Sequence, residues 1–256
     1  MKTFNLFKIL FLTSTLLATL TSYGFDLREE LYREELVLES SSSVIDLLEG
    51  KIDTKSATYQ EIEKAYEKQE TSPLTTSQSL EIKRDSDPDT HPNPDKINQV
   101  QLWALFGYTT GDFIPMNKTL RGKNPKAKLQ KDSKLLNQII IMRAALQKIK
   151  SFKGKVFRGT HLSSSTLSQH VPGAIVTYPG FLSTSTSREA SENFVQNVIL
   201  VINAKNGKSV RNYSQMPQED EILFDHNSKF KVLKKKKTKI EFIENPIVDE
   251  IELEEI

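Results

Sequence analysis

The run Phe181-Leu182-Ser183-Thr184-Ser185 follows the dipeptide Pro179-Gly180 and ends in three successive hydroxyl side chains. Adjacent proline and glycine favour a tight turn, and a short apolar run that follows a turn is typical of a strand. Alternate side chains of a strand lie on one face, so Ser183 and Ser185 are expected to point the same way. The run therefore predicts a strand that presents paired hydroxyl groups.

The same pattern of short apolar runs and turn residues extends through the second half of the chain. Short apolar runs separated by turn residues lie at 155–158, 174–178, 181–185, 198–203, 221–224, 229–234 and 238–244. Asn206-Gly207 predicts a tight turn after the fourth run. The first half instead has helical spacing, clearest at 99–106 and 135–149. Helices followed by strands predict an α+β domain, with a helical front half and two packed, mostly antiparallel sheets.

Residues 1–24 have the pattern of an export signal. Lys2 and Lys8 flank the apolar run 9–20, and small residues follow at Ser22 and Gly24. The run has about 12 residues, short of the roughly 20 that span a bilayer. We therefore expect a secreted protein with no membrane span once the signal is removed.

Composition divides the remaining chain into three stretches. Residues 25–70 are rich in Glu, Leu and Lys and predict an N-terminal helical extension. Residues 71–95 turn to Ser, Thr, Asp and Pro, which bury too little apolar surface to stay ordered alone, so they predict a linker. Residues 96–256 are then expected to form the catalytic domain.

Charge and composition exclude several classes of function. The chain has no Cys and four His, which argues against a disulfide framework, a thiolate nucleophile and a metal site. Beyond residue 24 it carries 33 basic and 33 acidic side chains, a balance that argues against nucleic-acid binding. The run Lys234–Lys237 predicts a solvated strand end or turn. No Gly-rich phosphate loop is present, so a bound nucleotide must be held in another way.

Three segments carry candidate chemistry: Phe157-Arg158-Gly159, the run 181–185, and the stretch 219–224, which begins Glu219-Asp220-Glu221. If the last strand begins by Glu219, both glutamates lie on one face, and their repulsion raises the pKa of at least one. Each segment alone is also compatible with a surface ion pair, a polar strand face or a solvated edge.

Taken in order, the three segments resemble the Arg-Ser-Glu class of mono-ADP-ribosyltransferases, particularly bacterial toxins with a Glu-x-Glu pair. The resemblance covers roughly residues 97–244. The segment Tyr108-Thr109-Thr110-Gly111, with Asn117 and Leu120-Arg121, is similar to the family's helical front segment. Phe194 lies where these enzymes place an aromatic side chain near the nicotinamide. The absence of Cys favours a bacterial virulence protein over a secreted vertebrate enzyme.

The resemblance implies a site that uses NAD as a substrate, without a metal. Breaking the bond between nicotinamide and ribose develops positive charge on the sugar, which a carboxylate can stabilise. Glu221 would do this, Ser183 would orient Glu221, and the guanidinium of Arg158 would hold the pyrophosphate. The implied catalytic residues are Arg158, Ser183, Glu219 and Glu221. The implied NAD-binding residues are Arg158, Gly159, Ser183, Thr184, Ser185, Phe194, Tyr108, Asn117 and Glu221.

Glu219 indicates the acceptor. A guanidinium is a poor nucleophile until a carboxylate orients it and draws off a proton, and relatives with Glu here generally modify arginine. Gln218 is one residue out of alternation and should face away. We expect transfer to an arginine of a host protein, with NAD hydrolysis as a side activity. The alternatives are an NAD glycohydrolase without a protein acceptor, or a non-catalytic secreted binding module.

Three further side chains can be considered for a role in the site. Two of them have both a functional and a structural interpretation, and the third has a structural one. His161 could contact NAD or lie on the surface. Tyr213 could recognise the target protein or pack its loop. Trp103, the only tryptophan, lies on an apolar helical face and is expected in the core.

Overall fold

Helices occupy the first half of the described chain. The computed structural model describes residues 42–70, 93–240 and 247–256, so the predicted signal peptide and nearly all of the predicted linker lie outside the described residues. The helices are α1 (Ser42–Asp46), α2 (Ala57–Glu70), α3 (Gln99–Gly107), α4 (Phe113–Leu120), α5 (Pro125–Leu129), α6 (Ser133–Lys148), α7 (Ser164–Gln169) and α8 (Arg188–Glu192), with a π-helical turn at Tyr108–Asp112 and 3-10 turns at Arg211–Tyr213 and Pro217–Glu219.

The second half forms strands, as the turn-separated apolar runs predicted. They are β1 (Ser151–Thr160), β2 (Ile175–Tyr178), β3 (Leu182–Ser185), β4 (Val198–Ser209), β5 (Glu221–Phe224), β6 (Ser228–Lys239) and β7 (Ile247–Glu255). Their order is β1-β3-β5-β4-β7-β6-β2, and β1 also pairs with β4. The long β1–β4 pair therefore joins two arms, one formed by β3 and β5 and the other by β7, β6 and β2. Among the strands that the structure describes, only the β4–β7 pairing is parallel, so the α+β prediction is confirmed.

Two large apolar cores hold these layers together. One lies among the helices and includes Phe181 and Leu223 from the short strand arm. The other lies among the strands, where Leu200 and Ile202 of β4 and Ile251 and Leu253 of β7 are fully buried. Strand β5 contributes side chains to both cores, whereas β3 contributes Leu182 to the second core and is directly preceded by Phe181 of the first. This packing fixes the polar residues of both strands between the helical and the strand layers.

Helix α6 is the centre of the helical core. Asp132 caps its first turn by accepting a hydrogen bond from the amide of Leu135 at 3.0 Å. Apolar side chains at Leu136, Ile139, Ile140 and nearby positions are buried, in agreement with the predicted helix at 135–149. The helix ends where Ile149 adopts an extended backbone and leads into β1.

Helices α1 and α2 contribute to this same core. The buried side chain of Arg143 on α6 donates to both carboxylate oxygens of Asp225, at 3.1 and 3.0 Å, and to the carbonyls of Leu47 and Gly50. The amide of Ile52 donates to the side chain of Gln147 at 3.1 Å. The limits drawn from composition stay a prediction, but residues 42–70 pack as part of the compact unit that contains the strands.

Three local expectations for the strands are corrected. Asn206-Gly207 is not a turn, because β4 continues through it and Gly207 pairs with Phe152. The runs 229–234 and 238–239 are one strand, β6, so Lys234–Lys237 lie within a strand. There Lys236 pairs with Glu250 at 2.9 Å and Lys237 with Asp249 at 3.0 Å. Strand β7 was not expected, although Ile251 and Leu253 alternate with glutamates.

Within the described ranges, no helix combines the length and the apolar character that crossing a membrane requires.

Candidate active site

Strand pairing brings the three sequence segments together. In the β3–β5 pair, Ser185 lies opposite Glu221 and Ser183 lies opposite Leu223. Directly opposed residues of an antiparallel pair share a face, so Ser183, Ser185 and Glu221 lie on one side of this arm. Phe157 of β1 pairs with Ser185 on the other edge of β3. Arg158, which follows Phe157, reaches the same region, since its guanidinium donates to the Ser183 carbonyl.

A row of polar side chains leads from the helices to Glu221. The side-chain amide of Asn117 donates to the Tyr108 hydroxyl at 3.3 Å, and that hydroxyl lies 3.2 Å from the Ser183 hydroxyl. A hydrogen bond from Ser183 lowers the pKa of Glu221. An ionised carboxylate can only accept, so Ser183 donates to Glu221, and Tyr108 in turn donates to Ser183. The row Asn117–Tyr108–Ser183 thus directs its donors toward the carboxylate.

Glu221 is 8% exposed, and burial dominates its electrostatics. Removing a carboxylate from water disfavours its charged form. Burial, together with the negative charge of Glu219, raises the pKa of Glu221 to about 7, while Ser183 and Arg158 act in the opposite direction. The group therefore changes its charge near neutral pH, as functional carboxylates often do.

Arg158 lies beneath this row. One arm of its guanidinium donates to the Ser183 carbonyl at 2.5 Å, and burial lowers the pKa of the group. The exposed guanidinium of Arg121 also influences Arg158 and donates to the Phe181 carbonyl at 3.4 Å. Sequence reasoning placed Arg121 in the front segment without giving it a role, and the structure adds it as a second cation of the site.

Two glycines permit close approaches around these cations. A Cβ atom on Gly159 would lie 2.2 Å from the Ser191 carbonyl oxygen and 2.6 Å from the Val195 nitrogen. A Cβ atom on Gly180 would lie 2.5 Å from Oδ1 of Asn117. Gly159 is thus needed to bring the segment that carries Phe194 against β1, and Gly180 is needed to bring Asn117 against the start of β3.

Glu219 departs from the expected alternation. Strand β5 begins at Glu221, whereas Glu219 ends a 3-10 turn, and Asp220 between them has a left-handed backbone with φ 46°. The two glutamates are therefore brought together by a backbone reversal rather than by a shared strand face. Glu219 is exposed, as is Gln218. Neighbouring atoms that displace water raise the pKa of Glu219.

Thr184 and Ser185, both expected to bind NAD, have structural roles for their side chains. Thr184 lies on the opposite face of β3 and its buried hydroxyl donates to the Ile222 carbonyl at 2.6 Å. The Ser185 hydroxyl donates to the Glu219 carbonyl at 2.7 Å and accepts from the Ser187 amide at 3.0 Å. The Thr184 hydroxyl therefore joins β3 to β5 on the face away from Glu221, and its contact with NAD stays a prediction.

The remaining candidates separate by exposure. Phe194 is 63% exposed and is free to contact a ligand, and His161 is exposed. Tyr213 is 1% exposed and its hydroxyl donates to Asp95 at 2.8 Å, so it packs the loop and cannot touch a target protein. Trp103 is partly buried against the helical core, as expected.

No group of three or more His, Cys, Asp and Glu side chains in the described part of the chain is arranged to hold a metal ion. Asn117 supplies a different kind of binding group. Its Oδ1 atom is buried and has no hydrogen-bond partner among the described residues. An acceptor of this kind suits an amide N–H of a ligand.

The chain belongs to the ADP-ribosyltransferase exoenzyme family, whose sequence profile matches residues 63–255. Mav of Mycobacterium avium (strain 104) is 32% identical over 153 residues, which cover 59% of this chain and 18% of Mav. The NAD(+)--protein-arginine ADP-ribosyltransferase Tre1 of Serratia proteamaculans (strain 568) is 30% identical over 134 residues, covering 52% of this chain and 28% of Tre1. The chain thus spans less than a third of either relative.

Solved structures show the same fold. The ADP-ribosyltransferase HopU1 of Pseudomonas syringae pv. Tomato DC3000 superposes with a TM-score of 0.63 at 19% identity, over 80% of this chain and all of HopU1. The ADP-ribosyltransferase Vis of Vibrio splendidus, in complex with agmatine, gives 0.55 at 19% identity, over 82% of this chain and 90% of Vis.

Proposed function

We propose that the protein transfers ADP-ribose from NAD to an arginine of a host protein, and that it hydrolyses NAD slowly when no acceptor is bound. The observation that carries the proposal is the buried carboxylate of Glu221, which accepts from the Ser183 donor row and is influenced by the positive charge of Arg158. Membership of the family supports it, as does the similarity to Tre1, an NAD(+)--protein-arginine ADP-ribosyltransferase.

The proposed reaction breaks the bond between the nicotinamide nitrogen and C1′ of the ribose. Nicotinamide leaves with the bonding electrons, so positive charge develops on the sugar, and Glu221 stabilises that charge. A guanidine nitrogen of the acceptor then bonds to C1′, and its proton passes to Glu219 and on to solvent. Arg158 and Arg121 supply positive charge for the diphosphate, and Oδ1 of Asn117 can accept from the carboxamide of nicotinamide.

Two assays test the proposal directly. The protein is incubated with NAD alone, and nicotinamide release is measured; it is then incubated with NAD and agmatine, the arginine analogue bound in a structure of Vis. We expect ADP-ribosyl-agmatine to form faster than free ADP-ribose. Release of nicotinamide without any agmatine product would favour a glycohydrolase, and no release at all would favour a non-catalytic binding module.

The pH dependence of NAD hydrolysis should follow the ionisation of the Glu221 carboxyl group. Only the ionised carboxylate stabilises positive charge, and burial raises its pKa to about 7. We expect kcat/KM to be level above neutral pH and to fall about tenfold per pH unit well below it. In Glu219→Gln the midpoint should move to lower pH, because the charge that raises the pKa of Glu221 is removed. A flat profile between pH 5 and 8 would contradict this assignment.

Arg158→Lys should weaken NAD binding although the charge is kept. An ammonium group cannot reproduce the planar fork of a guanidinium, so we expect KM for NAD to rise about 10-fold to 100-fold, the effect of losing one charge-assisted hydrogen bond. Arg188→Lys is the matched control, because the Arg188 guanidinium is already paired with Glu192 and Glu250 at 2.8 Å. An unchanged KM in a variant that melts at the wild-type temperature would remove Arg158 from the binding site.

We also propose that the protein is secreted, which rests on the signal-like pattern of residues 1–24. N-terminal sequencing of protein recovered from culture medium should find a new N-terminus close to Gly24. Retention of the intact chain in cells would contradict export by this route.

A further inference from the structure

We infer that Thr109 is a positioning residue for the arginine acceptor. It acts by holding the acceptor loop, defined as residues 210–220, against the π-helical turn Tyr108–Asp112. The inference rests on the proposed function, because it assigns Glu219 on that loop to the acceptor.

The geometry of Thr109 sets the direction of its hydrogen bonds. Its hydroxyl donates to the Phe106 carbonyl at 2.9 Å, which leaves its lone pairs to accept from the amide of Gln215 at 3.3 Å. Thr109 directly follows Tyr108, the centre of the donor row that leads to Glu221. A single turn of backbone therefore connects the NAD side of the site to the acceptor loop.

Both ends of the acceptor loop are firmly held. Tyr213 is buried and its hydroxyl donates to Asp95 at 2.8 Å. The Glu219 carbonyl accepts from Ser185 at 2.7 Å, and Asp220 pairs with Arg211 at 2.7 Å. These anchors fix the backbone on either side of the stretch Gln215–Gln218, whose two glutamines are exposed.

The position of the stretch between these anchors depends on its hydrogen bond to Thr109. Among the described residues, the other hydrogen bonds of residues 214–218 stay inside the loop, such as that from the Met216 amide to the Ser214 hydroxyl at 3.0 Å. The bond from Gln215 to Thr109 is thus the hydrogen bond that, within the described part of the chain, joins this stretch to the helical layer. It precedes Glu219 by four residues, so its loss should loosen the side from which an acceptor enters and leave the Glu221 side intact.

The neighbouring Thr110 provides a matched control. Its hydroxyl donates to the Phe106 and Gly107 carbonyls at 3.1 and 2.9 Å and belongs to the same helical turn. Thr109→Val and Thr110→Val therefore remove the same group from adjacent positions, and only the first removes a bond to the loop. Thr109→Ser keeps the hydroxyl and should restore the wild-type behaviour.

The test compares KM for agmatine, KM for NAD and the rate of NAD hydrolysis in the wild type and the three variants. One neutral hydrogen bond corresponds to about a 2-fold to 12-fold effect, so Thr109→Val should raise KM for agmatine by roughly that factor. Both NAD parameters should stay within about twofold of wild type, and Thr110→Val should change none of the three. A parallel loss of transfer and hydrolysis, or equal effects of both valine variants, would overturn the inference.

Amide hydrogen exchange separates this inference from the proposed function. The amides of residues 214–216 and of Gln218 should exchange faster in Thr109→Val than in Thr110→Val. If the wild type hydrolyses NAD but never modifies agmatine, the arginine proposal fails on the wild type alone. Unchanged exchange in this stretch would then overturn the positioning role independently.

Discussion

Glu221→Gln is expected to abolish both NAD hydrolysis and transfer to agmatine, each by about 100-fold or more, the usual cost of losing a principal group that stabilises charge in the transition state. Glutamine keeps the size of the side chain but cannot carry the negative charge that faces the sugar. Because burial already disfavours the ionised form of Glu221, the variant should melt at or above the wild-type temperature at pH 8. The loss would then be chemical and not a failure to fold.

Glu67→Gln is the control for this prediction. Glu67 is an exposed carboxylate on α2, and both activities should remain within twofold of wild type. Nicotinamide release by Glu221→Gln at more than a tenth of the wild-type rate would show that another group carries the charge stabilisation.

Glu219→Gln is expected to separate the two activities. The change removes the carboxylate that would orient the guanidinium and accept its proton, while Glu221 and its donor row stay in place. Transfer to agmatine should fall by about 100-fold or more, whereas NAD hydrolysis persists at a substantial fraction of wild type. Glutamine also keeps the backbone anchor, since Ser185 bonds the carbonyl of this residue and not its side chain.

Two outcomes would contradict the assignment of Glu219. A parallel fall of hydrolysis and transfer would mean that it supports the whole site. Retained transfer would mean that another residue activates the acceptor. Gln218→Ala serves as the neighbouring control, because Gln218 is exposed and its amide contacts Met216 at 3.5 Å within the loop.

Much of the fold follows from local patterns. The 3.6-residue spacing at 135–149 and the short apolar runs after 155 predicted α6 and most strands, because one face of each element is buried. The turn predicted at Asn206-Gly207 was wrong, because this pair can also lie within a strand where a neighbouring side chain leaves no room for a Cβ atom. A Cβ on Gly207 would lie 2.6 Å from Ile222. The lysine run is satisfied by acidic partners on β7, which are distant in sequence.

The site was predictable in part. Arg158, Ser183 and Glu221 form a recognisable order in the sequence, and the strand register brings them together. The left-handed backbone of Asp220, which separates Glu219 from the strand, could not be predicted from the alternation of side chains along a strand. Likewise, whether Tyr213 meets a target or packs the loop depended on Asp95, a contact across more than a hundred residues.

The packing of residues 44–66 against α6 sets how much of the chain must be present for the chemistry to occur. The family profile begins at residue 63, yet side chains before and just after that point fill the core on α6: Val44, Ile45, Leu48, Ile52, Tyr59, Ile62 and Tyr66. Burying each contributes about 1.5–3 kcal/mol, so a few of them equal the 5–15 kcal/mol by which whole domains are typically stable. The minimal folding unit is therefore longer than the stretch that defines the family, and the early helices are an indirect requirement for catalysis.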